Sequence, residues 1–398
     1  MKASYQDKLN QSILPWLAIS ACFAVSLKTA VFSIIIGVFI ILWATSGRWK
    51  DKVTRVLANP AAIIPIILFL LYGIGISYSD AEWSYKLSWW LKYHKLLYIP
   101  IIVSVITNDT HRKYAINAFI LSSILVLIIS YSEWLNIIPF KDIESQGYIV
   151  FKNRIAQSIF MAFTVYLMLH RAMKLKGSFR ITWLVLAILA TINIFFMVNG
   201  RTGQVLTIAL TIWFLWENWG IKSLKWIALS IGCVLIAYQS IPSLHQSRLL
   251  EIKQEIAAHD AVTNRTSAGE RMEFYHNALI LIGRNPILGN GTGSFEQEYR
   301  NLAKTQKTGR DYVPNPHNQF LLTTEEIGLV GLLVLMLFWF THWRTSYKLE
   351  SMQYQITLRG LILTIFIGSF FNSLLLDAGE GRFYCVIAGV LLSAYKKE

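Results

Sequence analysis

The sequence predicts an all-α, polytopic membrane protein with about twelve helical spans and one large, partly helical outer loop. Three observations carry that prediction. Apolar residues make up 54% of the 398 and charged residues only 15%, whereas a soluble chain usually carries about a quarter charged residues. Apolar runs approaching the roughly 20 residues needed to cross a bilayer recur from end to end. Basic residues collect in short segments between those runs, which is the positive-inside pattern. With a mean hydropathy of +0.45, most of the chain has lipid as its solvent. The formal net charge of +14 would point to nucleic acid in a soluble protein. Its placement here excludes that class of partner and leaves membrane lipids in its stead.

Taken in order, spans are expected near 12–27, 29–46, 60–78, 94–108, 113–131, 155–171, 181–198, 203–218, 223–240, 319–341, 355–374 and 382–395. The shorter runs are tolerated where flanking residues snorkel. Lys2 and Lys8 before an apolar stretch from Ile13 resemble a signal peptide, but the many later spans favour an uncleaved first span. If the N-terminus is cytoplasmic, alternate loops should hold the Lys and Arg excess. They do, with Arg48, Lys50, Lys52 and Arg55; His111, Arg112 and Lys113; Arg171, Lys174, Lys176 and Arg180; Lys222 and Lys225; Arg344 and Lys348; and Lys396 and Lys397. The opposite side then receives 80–92, 133–154, the tight turn 199–203, 241–318 and 377–381. No internal repeat or low-complexity segment is present, so residues 1–398 read as a single integral membrane domain. Residues 241–318 form a large loop within it.

That loop is the only hydrophilic segment large enough to fold on its own, and long insertions in compact domains are usually functional. Ser267-Ala-Gly-Glu270 reads as a capping box opening a helix. Met272, Tyr275, Leu279 and Ile282 follow at helical spacing, and Gly283 and Pro286 end the run. Arg271 falls in its first turn. The stretch from Leu244 to Ala258 also has helical periodicity and reads as a helix lying on the membrane surface.

Three outer-facing residues carry the candidate chemistry. Arg201 sits in Asn199-Gly-Arg-Thr-Gly203, a turn too short to hide an arginine from the membrane boundary. Such an arginine is costly unless it meets an anion or a carboxylate, the plainer alternative being a side chain snorkelling to headgroups. His317 lies in Pro314-Asn-Pro-His-Asn-Gln-Phe320, where two prolines restrict the backbone at a helix entrance, with Glu325 and Glu326 deeper along the same helix. Imidazole titrates near neutral pH and can accept a proton from a hydroxyl, although a lone interfacial histidine is more often a hydrogen-bonded bystander. Arg271 is the third.

The ordered set formed by Asn199-Gly-Arg-Thr-Gly203, Ser267-Ala-Gly-Glu-Arg-Met-Glu-Phe-Tyr-His-Asn-Ala278, Asn285-Pro-Ile-Leu-Gly-Asn-Gly-Thr-Gly-Ser-Phe295, Pro316-His-Asn-Gln-Phe-Leu321 and Glu326-Ile-Gly-Leu-Val-Gly-Leu332 resembles the O-antigen ligase and polymerase superfamily of membrane glycosyltransferases. The likeness spans the second half of the chain; the first half matches only as a hydrophobic pattern. The resemblance implies a GT-C-like enzyme of the bacterial inner membrane, multi-pass, with its active site and its large loop facing the periplasm. It implies transfer of a glycan from undecaprenyl pyrophosphate to lipid A core oligosaccharide, in lipopolysaccharide biosynthesis. Carried over by motif, Arg201 and Arg271 bind the pyrophosphate and His317 is the catalytic base. Two guanidiniums gripping phosphate oxygens in fork geometry replace a divalent metal, so no metal or cofactor is expected and the displacement should invert the anomeric centre. Arg265, Gln204, Asn318 and Asp377 are candidates for supporting roles.

Other signals point elsewhere and are weaker. Gly289-Asn-Gly-Thr-Gly293 has no strand before it, so it reads as a loop turn and not as a dinucleotide fingerprint. Asp80-Ala-Glu82 resembles the acidic motif of metal-dependent lipid-linked glycosyltransferases, but two carboxylates two apart on a loop are common by chance. His245, His259, His276 and His317 show no zinc-hydrolase spacing. All three cysteines, Cys22, Cys233 and Cys385, lie inside apolar runs, which disfavours disulfides and thiolate metal sites. Trp83, Trp89 and Trp90 read as an interfacial aromatic belt, with a glycan-stacking platform as the sharper alternative. Asp377 and Glu380 are placed to pair with a site arginine or to orient His317, or to be solvated acids. Competing functions are an O-antigen polymerase, a protein O-oligosaccharyltransferase and, from another class, a polytopic transporter or flippase.

Overall fold

The computed structural model describes residues 6–138, 147–198, 200–225, 228, 252–259, 265–306 and 312–396. The expected span near 223–240 lies almost wholly outside them, as do Asn199, Cys233, His245 and the loop stretch from Leu244 to Glu251. Among the described residues all regular structure is helical, apart from one isolated bridge between Leu349 and Tyr395.

The helices, in chain order, are α1 (Leu14–Ala24), α2 (Thr29–Thr45), α3 (Trp49–Leu57), α4 (Pro60–Gly75), α5 (Trp83–Leu91), α6 (Tyr98–Val103), α7 (Asp109–Trp134), α8 (Arg154–Lys174), α9 (Gly177–Ile192) and α10 (Arg201–Trp219). The second half adds α11 (Ile252–Ala258), α12 (Ser267–Arg284), α13 (Phe295–Gln306), α14 (Gln319–Ser346), α15 (Met352–Gly368) and α16 (Ala378–Leu392). Among the described residues five stretches are long and apolar enough to cross a membrane: Pro60–Tyr78, Asp109–Trp134, Arg154–Lys174, Gly177–Met197 and Gln319–Ser346. A sixth arises if α2 and α3, bent 112° apart, count together. That bend has a sequence cause. Gly47 and Arg48 both take positive φ, and α3 exposes Trp49, Val53 and Leu57 beside Lys50 and Arg55, the pattern of a helix lying in an interface.

Polar side chains start the helices where an apolar run meets a loop. Asn59, Asn108, Asn153, Ser351 and Thr266 each accept a hydrogen bond from a first-turn backbone N–H, as N-caps do. The cap of α12 is therefore Thr266, one residue earlier than the Ser267 cap expected above. Its Oγ1 accepts from Gly269 N at 3.3 Å and donates to the Glu255 carbonyl at 2.6 Å, so it anchors α12 to α11 as well. The core is buried between α8 and its neighbours α9, α10 and α15, and between α16, α6 and α15. Among these helices α8 is hidden almost all round, with Ala156 to Met168 all buried. Cys22 and Cys385 are buried and free, as apolar placement implied.

The expected span 319–341 is broken. Ile327 leaves helical geometry and Gly328 takes φ 66°, ψ −167°, a region open essentially to glycine alone. A break at membrane depth frees backbone groups that water cannot reach, so protein must satisfy them. The segment 286–292 does this. Leu329 N donates to Pro286 O at 2.8 Å, Asn290 N to Glu325 O at 2.8 Å and Gly291 N to Glu326 O at 2.8 Å, while Thr292 N reaches back to Gly75 O at 3.0 Å. The buried side chains complete the joint: Glu325 accepts from Asn290 Nδ2 at 3.1 Å and Ser294 Oγ at 3.2 Å, and Glu326 accepts from Gly293 N at 2.9 Å. The glycine-rich motif is thus a loop, as its sequence context implied, and its task is to plug the gap in α14.

Gly328→Ala is expected to lower stability by roughly 1–3 kcal/mol from backbone conformation alone. A clash adds to this, since a Cβ there would fall inside contact distance of the Ile287 carbonyl. Thermal unfolding of the detergent-solubilised protein measures it, and an unchanged midpoint would contradict the break.

Candidate active site

Arg201 opens α10 and Arg154 opens α8, and the two helix starts lie side by side because glycines let them approach. A Cβ on Gly200 or Gly203 would overlap Ser158, one turn into α8. Both Nη atoms of Arg201 engage the Glu255 carboxylate, Nη1 reaching Oε2 at 2.9 Å and Nη2 pairing with Oε1. Glu255 Oε2 also accepts from Ala268 N at 3.0 Å. One carboxylate therefore joins α10, α11 and the start of α12. Arg201 Nε, itself buried, has no hydrogen-bond partner among the described residues.

Arg271 lies in the second turn of α12. Its guanidinium has no hydrogen-bond partner among the described residues, and burial together with the charges of Arg201 and Arg154 pushes its pKa below the usual arginine value. Tyr275 sits one turn further along the same face. Its hydroxyl donates to Phe370 O at 2.7 Å and lies 3.4 Å from His317 O. The His317 ring packs near Phe274, with centroids 6.1 Å apart.

His317 adopts φ 54°, left-handed and strained for a residue with a side chain. The strain is held by an Asx-type turn in which its N–H donates to Asn315 Oδ1 at 2.9 Å. Burial, and then the charge of Arg271, lowers the imidazole pKa from its ordinary value, against the opposing pull of Glu270. The ring is accordingly neutral near pH 7. Two arginines and an imidazole from three remote motifs thus act on one another: Arg201 on Arg271, and Arg271 on His317.

The candidate supporting residues divide. Asn318 caps α14, its Oδ1 accepting from Phe320 N and Leu321 N while its Nδ2 donates to Phe370 O at 3.2 Å. Gln204 is buried and donates to Phe195 O at 3.3 Å, tying α10 to the turn before it. Arg265 is exposed. Asp377 faces Lys95 and Lys92, and burial raises its carboxyl pKa to about 6 against their pull. The groups acting on His317 are Arg271 and Glu270, so the structure gives Asp377 a different set of neighbours.

Several residues escaped the sequence reading. Arg154 and Glu255 carry no motif of their own. Gln319, fully buried, accepts at Oε1 from Leu375 N at 2.9 Å and Leu376 N at 3.2 Å, while its own N–H donates to Ser369 O at 2.9 Å. Asn372, in the same connection between α15 and α16, donates to Thr202 Oγ1 at 3.0 Å, and Ser373 Oγ donates to Asn315 Oδ1 at 3.0 Å. The segment 369–377 therefore binds both the His317 loop and the residue beside Arg201. The Pro-His-Asn-Gln motif, which includes Gln319, was the available signal.

Fold and site define an integral membrane protein with a cationic, partly buried site where its helices begin. Comparison with known proteins makes this more specific. Residues 184–336 match the family model described as O-antigen ligase, a stretch that holds Arg201, Arg271 and His317. Over that stretch the chain is similar to O-antigen ligases, a family of glycosyltransferase-like membrane enzymes. An uncharacterized protein of Haemophilus influenzae is similar as well, 30% identical over 95 residues. That match covers 23% of this chain and 24% of the length of the curated relative.

Gln319→Leu removes the acceptor of the Leu375 N–H, and a buried unpaired donor costs roughly 1–3 kcal/mol. A lower unfolding midpoint is expected; wild-type stability would remove Gln319 from its clamping role.

Proposed function

We propose that the protein is an O-antigen ligase that moves a glycan from undecaprenyl pyrophosphate to lipid A core oligosaccharide. The observation that carries this reading is Arg271: a half-buried guanidinium without a hydrogen-bond partner among the described residues, beside two further arginines and a histidine kept neutral. A cation left so is unfavourable unless an anion arrives. A diphosphate supplies two adjacent anionic groups. Arg271 offers it a whole planar fork, and Arg201, oriented by Glu255, offers its remaining Nε–H.

The reaction balances with these groups. The acceptor hydroxyl oxygen attacks the anomeric carbon from the face opposite the leaving group, and the bond from that carbon to the phosphate oxygen breaks. The electron pair leaves on undecaprenyl pyrophosphate, and the hydroxyl proton passes to His317. The attack is in line, so configuration inverts. The guanidiniums neutralise the leaving diphosphate, so no divalent ion is required. In this reading the chain crosses the bacterial inner membrane about twelve times. Its N-terminus is cytoplasmic, and the site and the large loop open to the periplasm.

Purified protein incubated with lipid-linked glycan and lipid A core tests the reading, with products analysed for ligation. His317→Ala and Arg271→Ala should each lower transfer by about 100-fold or more, the scale of a lost general base or a lost charge on the leaving group. Growth of the donor chain without acceptor would reassign the protein as a polymerase. Full activity of either variant would count against the assigned role, and inhibition by a chelator reversed by a divalent ion would overturn metal independence.

The pH profile gives a further check. Only the neutral imidazole accepts a proton, so kcat/KM should fall as pH drops through the His317 pKa. Burial and Arg271 place that limb below the ordinary histidine value of 6.5. A limb above it would mean that another group is titrating.

A further inference from the structure

A cavity of about 550 Å³ opens beside the His317 loop, between the end of α5, the segment 312–315 and the start of α16. It is lined by Trp89, Lys92, Lys95, Asn315, Asp377 and Arg382 among others. Its charge is lopsided, with three cations to one carboxylate. Lys95 is 2% exposed. Its Nζ donates to Leu376 O at 2.6 Å and Asp377 O at 2.8 Å, which uses two of the three N–H bonds of an ammonium group. Lys92 lies over the Trp89 indole, 3.7 Å from the ring centroid, and Arg382 contacts the Ser33 hydroxyl at 3.4 Å and the Phe32 ring at 5.4 Å. Neither makes an ion pair with a carboxylate among the described residues.

Asp377 faces Lys95 and Lys92, and buried Glu380 acts on Lys95 from behind, but no carboxylate at the cavity wall pairs with Lys92 or Arg382 among the described residues. Cations in excess of the acids facing them are the signature of a site whose counter-charge comes from outside. The volume lies in the range of about 300–1,000 Å³ usual for small-molecule sites. Trp89 adds an apolar wall, and exposed Tyr312 stands at the edge. Cations and aromatic faces together suit an anionic sugar better than a lipid tail. The cavity is also tied to the base. Asn315 forms part of its wall, and the Oδ1 of the same residue accepts the His317 N–H.

We propose that this cavity is an acceptor subsite that binds a phosphate or carboxylate group carried on the acceptor sugar, holding the attacking hydroxyl toward His317. The proposal rests on the ligase reading above and adds to it the chemistry by which the acceptor is recognised. The diphosphate of the donor stays with Arg201 and Arg271, neither of which lines the cavity, so the two anions of the reaction occupy separate cationic sites.

The full-length protein in nanodiscs of zwitterionic lipid, with Lys92→Gln and Arg382→Gln variants, tests this in two arms. In the first, de-acylated, phosphorylated core oligosaccharide is titrated calorimetrically, without donor or turnover. Wild type should bind, and each variant should bind roughly tenfold more weakly, the scale of one charge-assisted hydrogen bond. Loss of the sugar phosphates by chemical dephosphorylation should weaken wild type to the level of the variants. In the second arm, transfer kinetics should show a raised KM for phosphorylated acceptor, with the KM for donor unchanged and most of kcat retained.

Equal binding by wild type and variants would overturn the proposal, and so would an equal loss with phosphorylated and dephosphorylated acceptor. A raised donor KM would reassign the cavity to the diphosphate. Competition by anionic lipid added to the nanodiscs, without any effect of the oligosaccharide, would reassign it to a headgroup. Because the first arm needs no catalysis, binding without transfer would leave the subsite standing while the ligase reading failed.

Discussion

Gln319 joins two pieces of chain that would otherwise be free to separate. Its carboxamide oxygen takes the N–H groups of Leu375 and Leu376, its backbone N–H meets Ser369 O, and its Nε2 donates to Thr323 Oγ1 at 3.2 Å within its own helix. Through this fully buried residue the entrance of α14 and the connection from α15 to α16 move as one body. Everything near the site hangs from that joint. The connection carries Asn372 to Thr202, and so fixes the start of α10 with Arg201. It carries Ser373 to Asn315, and so fixes the turn that strains His317. Its far end supplies the two carbonyls that hold Lys95. Low dielectric around such a network strengthens each bond and penalises each missing one, which is why a single amide can set the geometry of three motifs.

A second constraint comes from the backbone itself. In lipid an interrupted helix has no water to bond, so an interruption persists only where protein fills it. The glycine-rich turn does this for α14, and its positive φ angles at Gly289, Gly291 and Gly293 are the conformations that let the chain lie so close. A Cβ at Gly289 would meet the Glu326 backbone, and one at Gly291 the Ser79 backbone. Both are positions where close approach, and not turn type alone, demands glycine. The break lies about two turns from the cap of α14, where Asn318 and Gln319 sit. A packed plug here keeps that entrance rigid although the helix is not continuous.

Legibility in the sequence follows the range of the interactions. Apolar runs and their flanking charges are local, so α2, α4, α7, α8, α9 and α10 fall close to where hydropathy places spans. The loop helix α12 was equally visible, with an error of one residue at its cap, because both Thr266 and Ser267 have an acceptor oxygen and only packing against Glu255 selects the first. The break at Ile327 was hidden: Glu326-Ile-Gly-Leu-Val-Gly is apolar enough to continue a span, and the segment that replaces its hydrogen bonds lies some forty residues earlier. At the site, Arg201, Arg271 and His317 stood out by residue type and sidedness. Arg154, Glu255, Gln319 and Asn372 did not, since a polar residue near a helix end has many uses and only tertiary contact tells which one it serves. Asp377 was placed on the correct connection but beside lysines instead of the imidazole, a distinction that needs the path of 369–377.

The distribution of charge gives the site its direction. Among the described residues three desolvated arginines are matched by carboxylates: Arg201 by Glu255, Arg359 by Glu217 at 2.9 Å, and Arg112 by Glu350 at 2.9 Å. Those pairs satisfy the cost of desolvation within the fold and tie helices together. Arg271, largely desolvated and repelled by its neighbours, gains no such compensation from a carboxylate at hydrogen-bond distance. The fold could have neutralised it with one nearby acid, as it does three times elsewhere, and the resulting site would hold an anion less well. Stability withheld at that position is therefore affinity kept for an incoming anion. The same reasoning separates the site from the Arg359 cluster, where the guanidinium is buried as well but is already matched by the Glu217 carboxylate at 2.9 Å.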